Sequence, residues 1–389
     1  MKPMFRIAKR EVGLLLNSKT LFVFAVILPF VSFLFFSSLL KVGVARNLPI
    51  AVIDLDNSAI SRNVISQLDA TPELQISHTL INQQEGESLI RQGEIYGLVT
   101  IQKDFEADLK NGKQVTILNQ YNNNVLLPGG LEFKAFSKVI GTISAQIYIQ
   151  KQLVKGVSFQ QAVINYQPVS LENHVLSNPY TNYSYYLNSG FLAYFFQIII
   201  ILTTIYCFGS DLKYIKGNQL LRISNGKLSP ILLGKILPYT IWFFFVGLIM
   251  YYTMFVWQDF PLNGSKIALL IGLILLIISS QCFGLLFLSL SNSFREALTI
   301  GSGFAAISLS FSGITFPIFS MPLVLKWISQ IFPFTHFFKL FMEQSQQGFP
   351  VYYSFKTIIV LMLLCALPII FFWKKLTKLF IKGEFNHRI

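Results

Sequence analysis

Charge is what this sequence has least of. Of its 389 residues, 13% are Asp, Glu, Lys or Arg, about half the share usual in soluble domains. Six stretches of 17 residues or more carry none: 20–40, 183–210, 236–258, 267–294, 297–325 and 357–373. A bilayer core about 30 Å thick takes about 20 apolar residues of helix, and one charge at mid-membrane costs roughly 2.5–3.5 kcal/mol. Runs this long exclude a soluble globular chain and predict a polytopic membrane protein with six helical spans. Cysteine is scarce too. Cys207, Cys282 and Cys365 all fall inside expected spans, so no disulfide framework staples a domain outside the membrane. His78, His174, His336 and His387 are remote from one another in sequence, without the His, Cys or Asp spacing of a metal site. No Gly-x-x-x-x-Gly-Lys-Ser/Thr loop occurs, since Gly112-Lys113 and Gly226-Lys227 both lack the upstream glycine. No catalytic residue, metal or bound cofactor is expected on this chain. If it takes part in ATP-driven work, the ATPase is another chain.

The charge that is present is mostly positive and unevenly placed. The formal net charge is +13, and three segments supply nearly all of it. Residues 1–20 carry Lys2, Arg6, Lys9, Arg10 and Lys19 against Glu11. The loop 209–235 carries Lys213, Lys216, Arg222, Lys227 and Lys235 against Asp211. The tail 374–389 carries Lys374, Lys375, Lys378, Lys382 and Arg388 against Glu384. All three flank spans, which argues against nucleic acid as the partner and follows the positive-inside rule. Both termini and the 209–235 loop are therefore expected in the cytoplasm, in a multi-pass cell (inner) membrane protein. Residues 43–182 then lie outside, with ten basic residues against twelve acidic from Arg46 to Glu172. The first apolar run is too long for the core of a cleavable leader and reads as a retained anchor.

The expected organisation follows. Residues 1–19 form an interfacial helix, with Phe5, Ala8, Val12, Leu15 and Leu16 as its apolar stripe and Arg6, Lys9 and Arg10 on other faces. Residues 20–42 form the first span, kinked by Pro29. An α/β domain occupies 43–182. Its strands are expected near 50–53, 74–77, 96–101 and 115–118, its helices near 58–69, 83–92 and 103–111, with a long amphipathic helix after Pro128. Asp54 and Asp56 could pair on a metal, but a strand end followed by a helix cap at Asp56-Asn57-Ser58 explains them better. Tyr183, Tyr185 and Tyr186 read as an aromatic belt. Residues 183–373 hold the other five spans. Within them 311–347 is apolar yet broken by Gly313, Pro317, Pro322 and Pro333, with Lys326 and Lys339 inside it. Proline at that density does not suit one straight span, and short re-entrant or interfacial helices fit instead.

In the 209–235 loop, Leu220 and Leu221 are either part of a solvated basic connector or apolar anchors that dock on a partner. Span interiors offer Gln197, Thr203, Thr204, Ser279, Ser280, Gln281 and Ser308 but no ionisable group at mid-span. That disfavours ion and proton pathways. With 38 phenylalanines, it suits a lipid-like or hydrophobic drug-like substrate. A membrane-anchored receptor or scaffold with an external ligand-binding domain is a rival reading. A secondary transporter should show midplane charges and internal repeats, and neither is present.

Five segments together resemble the permease subunits of type-2 ABC exporters, in the subgroup with a large external domain. RIAKREVGLLLNSKTLFVFAVILPF (6–30) is similar to that family's elbow helix and first span. IAVIDLDNSAISRNVISQLDATPELQI (50–76) and LIRQGEIYGLVTIQKDFEADLKNGKQVTI (89–117) are similar to its external domain. QLLRISNGKLSPILLGKILPY (219–239) resembles its coupling region. SGITFPIFSMPLVLKWISQIFPFTHFFKLF (312–341) resembles its re-entrant signature, matched here by Ser312, Gly313, Pro317, Met321, Pro322, Pro333 and Thr335. The resemblance implies an α-helical six-span bundle with an inserted extracytoplasmic α/β domain. It further implies Arg6, Lys9, Arg10 and Glu11 on the elbow helix, and Asp211, Lys213, Gln219, Leu220, Leu221 and Arg222 as ATPase-coupling residues. Implied partners are ABC ATPase subunits carrying ATP and Mg, a second permease chain (as homodimer or heterodimer), membrane lipids and a periplasmic adaptor. One departure stands out. Where many members have an acidic Glu-Arg-Glu…Gly-Thr…Glu pattern before the paired leucines, this chain reads Asp211, Leu212, Lys213, then Ile215, Lys216 and Asn218.

Overall fold

Apolar runs with helical spacing become helices, and β-branched runs become strands, in a computed structural model that describes residues 2–124, 126–179 and 181–385. His387 and Arg388 of the expected basic tail lie outside the described residues. The chain divides into two compact units: 1–43 with 175–389, and 44–174.

The first unit is all helix. It comprises α1 (Lys2–Asn17), α2 (Lys19–Leu39), α8 (Ser184–Lys213), α9 (Gly217–Ile223), α10 (Leu228–Trp257), α11 (Lys266–Leu290), α12 (Phe294–Phe311), α13 (Leu323–Ser329), α14 (Pro333–Ser345) and α15 (Val351–Lys382). Five of these, α2, α8, α10, α11 and α15, are long and apolar enough to cross a membrane. The charge-free run 297–325 does not become a sixth of that kind. Its helix α12 has 18 residues, opens with Arg295 and Glu296, and stops where Gly313 takes a φ of +91°.

At Pro29 the structure shows a local widening of α2 and a specific exchange of partners. Proline has no N–H to give the carbonyl four residues back, and α2 widens to π-helix over Val23–Ile27. The carbonyl of Ala25 instead accepts the indole N–H of Trp242 on α10 at 2.8 Å. A backbone group that would be costly to leave unpaired in lipid thus becomes a tie between two helices.

The broken segment after α12 is built from short pieces, each started by a proline. Pro317 precedes a one-turn helix (Ile318–Ser320), Pro322 precedes α13, and Pro333 is the first residue of α14. The buried Met321 lies between the first two. Ser312 Oγ donates to Leu309 O at 2.6 Å, and Thr335 Oγ1 donates to Phe311 O at 3.3 Å, so the signature residues close the turn on itself. Tyr186 is not a free belt residue: its hydroxyl donates to the Ile314 carbonyl at 2.5 Å. At the far end of α14, Gln344 Oε1 accepts Ser265 N–H at 2.9 Å and its Nε2 donates to Ser354 Oγ at 2.8 Å. That glutamine joins the start of α11 to α14 and α15.

The second unit runs β1 (Leu48–Asp54), α3 (Ala59–Asp69), β2 (Leu74–Thr79), α4 (Gln83–Gln92), β3 (Gly97–Ile101), α5 (Phe105–Lys110), β4 (Ile117–Tyr121), α6 (Leu126–Val154) and α7 (Phe159–Tyr166). The sheet order is β2-β1-β3-β4, with β1 parallel to β2 and β3, and β4 antiparallel to β3. Successive side chains of β1 point to opposite faces. Ile50 and Val52 join one core with Val64, Val99 and Phe136, while Ala51 and Ile53 join another with Leu98. Ser58 caps α3 in a reciprocal box with Ser61. Asp54 Oδ1 accepts the N–H groups of Asp56 and Asn57 at 3.0 and 2.9 Å, and Asp56 Oδ2 accepts Glu106 N–H at 3.1 Å. Both carboxylates therefore fix the turn and the start of α5, which is the structural role weighed for them above.

One buried acid in this unit has no such support. Glu132 on α6 packs against the Cα of Gly97, where any Cβ would come within 2.8 Å of Oε1. Its Oε2 accepts a single long bond from Asn119 Nδ2 at 3.3 Å, and its Oε1 has no partner. Burial raises its pKa from the ordinary 4.5 to about 7. Below pH 4.5 both folded and unfolded chains hold the proton, and between 4.5 and about 7 only the folded chain does. Stability is thus fully present in acid and falls as pH rises through that window, by up to about 3 kcal/mol. Thermal unfolding of the full chain in nanodiscs should show this unit less stable at about pH 8 than at about pH 5.5. Glu132→Gln should remove most of that difference. Equal pH dependence in the variant would show that another group carries it.

Candidate functional site

Three buried charged groups meet, with a fourth, the partly exposed Arg10, at their edge. Glu11 is 1% exposed, Asp211 3% and Lys235 0%. They come from α1, the end of α8 and the start of α10. Lys235 Nζ donates to Glu11 Oε1 at 2.7 Å and to Asp211 Oδ2 at 2.6 Å. Arg10 grips both carboxylates from the edge of the cluster: Nη1 reaches Glu11 Oε1 at 2.9 Å and Asp211 Oδ2 at 3.0 Å, and Nη2 bonds Asp211 Oδ1. The second oxygen of Glu11 accepts the thiol of Cys207 at 3.2 Å, one helical turn before Asp211. Lys235 also lies 5.2 Å from the centre of the Phe208 ring. Two cations face two anions, so the cluster is neutral, and each buried charge has several partners. That is the condition under which charges are tolerated in a low-dielectric interior.

Local sequence explains the approach. On α1, Ile7, Glu11 and Leu15 recur every four residues and are the buried positions, which places them on one face. Gly234, next to Lys235, lets α1 lie directly on α10, since a Cβ there would come within 2.8 Å of Met4 O and 2.9 Å of Ile7 Cβ. Of the apolar stripe expected on α1, Phe5 and Leu16 are 62% and 65% exposed and Val12 is exposed as well, whereas Leu15 is buried. A helix lying in a membrane interface turns its most apolar face to lipid, and the protein-facing side is set by the charge it must neutralise. Arg6 and Lys9 are exposed.

The loop between α8 and α10 sits beside this cluster. Its backbone makes two tight left-handed reversals, at Ile215 (φ +58°) and at Asn225-Gly226 (φ +56° and +78°). The first is closed by Lys216 N–H to Asp211 O at 2.7 Å, so Asp211 organises the loop through its main chain as well as its carboxylate. Between the reversals lies α9. Gly217 packs on Gly383 at the end of α15, with room for no side chain (a Cβ would meet Gly383 Cα at 2.9 Å).

The structure revises the paired leucines. Leu220 is 2% exposed and belongs to this chain's own core, while Leu221 is half-buried. Leu220 cannot be an anchor offered to a partner in this conformation, because α9 uses it to hold itself on the bundle. The groups the loop presents outward include Lys213, Tyr214, Ile215, Gln219, Arg222 and Ile223. Of the sequence-derived residues, Arg10, Glu11 and Asp211 are brought together, whereas Arg6, Lys9, Lys213, Gln219 and Arg222 point away. Lys235 and Cys207 were missed. A signal for the cluster existed: Glu11 is the sole acid in residues 1–20, and Asp211 the sole acid in 209–235.

Comparison with known proteins gives three findings. The sequence model of the ABC-2 family transporter protein matches residues 19–374. The linearmycin resistance permease protein LnrN of Bacillus subtilis (strain 168) is 21% identical over 349 residues, which cover 86% of this chain and 88% of that protein. ABC transporter G family member 20 of Dictyostelium discoideum is 23% identical over 338 residues, 85% of this chain and 44% of that protein. The chain thus spans less than half the length of that second relative.

Removing one member of a buried charge cluster leaves its partner uncompensated, at a cost of about 3–5 kcal/mol. Lys235→Met should therefore lower the unfolding temperature of the helical unit in nanodiscs. Adding Glu11→Gln, which leaves Arg10 against Asp211 and restores neutrality, should recover part of the loss. A Lys235→Met chain as stable as the parent would show that the cluster contributes nothing.

Proposed function

Because the chain belongs to the ABC-2 family of transporter proteins, we propose that it is the membrane-spanning permease subunit of an ATP-driven exporter that moves a hydrophobic, drug-like or lipid-like substrate outward. The observation that carries this reading is the charge cluster. It binds α1 to the ends of α8 and α10 next to the loop that faces the partner, so a push on either is passed to both helices. In this reading α12 completes a sixth span, residues 44–174 lie outside the cytoplasm, and both termini and the loop lie inside. Two such chains pair, each with an ABC ATPase that carries the ATP and Mg. The free permease holds two arrangements of similar energy, and nucleotide-driven closure of the ATPases supplies the differential contact that favours one. An apolar cargo is supported by spans that, away from the charge cluster, bury amides and hydroxyls, among them Gln197, Thr203 and Gln281. The name of the Bacillus relative links that protein to resistance to linearmycin, which is in keeping with efflux.

The docking surface in this proposal is the exposed side of the loop, with Tyr214, Ile215 and Ile223 as apolar contacts and Arg222 as the charged one. Interface hot spots cost about 2 kcal/mol or more on truncation. Tyr214→Asp with Ile223→Asp should therefore reduce ATPase affinity at least tenfold while membrane abundance stays unchanged. Normal co-purification of the ATPase with that variant would sink the docking surface.

Orientation is tested separately. A cysteine at Asn123 should react with an impermeant thiol reagent added outside intact cells, and a cysteine at Asn225 should not. Labelling at position 225 would reverse the inside–outside assignment.

A further inference from the structure

The α/β unit has a feature that the transport reading leaves unused. Between α5, the segment entering β4 and one flank of α6 lies an open cavity of about 380 Å³, within the range of about 300–1,000 Å³ typical of small-molecule sites. Its interior is apolar. Phe105 and Ile143 form the floor, and Ile117, Ile140 and Ile147 stand half-buried around them. The three α6 isoleucines recur at intervals of three and four, so they form one stripe along the helix. Helix α7 packs beside the stripe, with the Tyr166 ring tilted against Tyr148 at 5.4 Å and its hydroxyl 3.4 Å from Gly141 O.

The rim is cationic. Lys151 and Lys113 both border the cavity. Lys151 Nζ donates to the Leu109 carbonyl at 2.7 Å and has no carboxylate partner among the described residues. An ammonium group has three donors, so two remain for a ligand beside a fixed positive charge. Lys113 Nζ is 2.7 Å from Asp108 Oδ1 on the exposed side of the rim, which leaves Lys151 as the stronger pole. Ser144 and Tyr148 add neutral polar groups. An apolar trough of this size with positive charge at its edge suits a molecule with an apolar body and one anionic head.

We propose that this groove binds an anionic amphiphile such as a fatty acid, with its hydrocarbon on the isoleucine stripe and its carboxylate at Lys151, assisted by Lys113. The proposal concerns this unit by itself and does not depend on the helical unit being a permease.

The test uses the full chain in nanodiscs of uncharged lipid and a dansyl-labelled medium-chain fatty acid, read by anisotropy above that of empty nanodiscs. Saturable binding is expected, displaced by the unlabelled acid and at least tenfold less well by the uncharged alcohol of the same length. Lys113→Gln with Lys151→Gln, at the rim of the groove, should weaken the acid at least tenfold and leave the alcohol unchanged. Ile147→Trp should fill the groove and abolish the saturable signal. The proposal is overturned by any of three results: no binding above empty nanodiscs, equal binding of acid and alcohol, or a lysine variant that binds the acid like the parent. The lysine pair decides the matter if the tryptophan chain does not fold.

Discussion

A charge can stay inside an apolar bundle only where its counter-charge is held against it, and that rule shapes the helical unit more than any other contact. Lys235 is wholly buried, so it must be met by carboxylates. Two carboxylates answer it, and Arg10 offsets the excess they bring. The consequence is geometric. Residues 10 and 11, 211 and 235 are remote in sequence, and satisfying one charge fixes three helices at once. Gly234 exists in this account to let α1 come close enough, and the left-handed Ile215 turn follows from a chain that must reverse directly after Asp211. A strained β-branched residue at a left-handed position persists only when its surroundings over-determine it, and the cluster is what does so here.

The same requirement acts on the backbone away from the charges. Pro29 removes a helical hydrogen bond from α2, and Trp242 supplies the replacement. The prolines after α12 start short helices and do not break a long one, Tyr186 and Thr335 satisfy carbonyls exposed by the breaks, and Gln344 accepts an N–H at the start of α11. Irregular backbone at these positions is paired inside the protein, a setting in which a membrane protein accommodates it.

Much of the fold was legible because the signals are periodic. Charge-free runs gave five of the long helices, and short runs rich in β-branched residues placed the four strands of the described residues to within a few positions. What escaped were features that depend on which neighbour an apolar or charged side chain finds. Within the apolar stripe of α1, Leu15 turns inward while Phe5, Val12 and Leu16 stay exposed, because hydropathy does not distinguish protein from lipid as the apolar neighbour. Leu220 was misjudged for the related reason that an apolar residue on a loop between helices can pack inward as readily as onto a partner. Lys235 was counted as loop charge because it sits at the margin of an uncharged run, and only its meeting with Glu11 and Asp211 shows its role. Glu132 and its weak support from Asn119 required the sheet register, which no local pattern encodes.

The central claim is that α1 and the loop-bearing end of α8 move as one body because the buried charges join them. Spin labels at Lys9 and Lys213, both exposed, report on it directly by pulsed dipolar spectroscopy in nanodiscs with the ATPase bound. The account predicts one narrow distance distribution that is the same with and without ATP, and that broadens when Lys235 is replaced by Met. A distance that shifts with nucleotide in the unaltered cluster, or a distribution indifferent to the loss of Lys235, would contradict it.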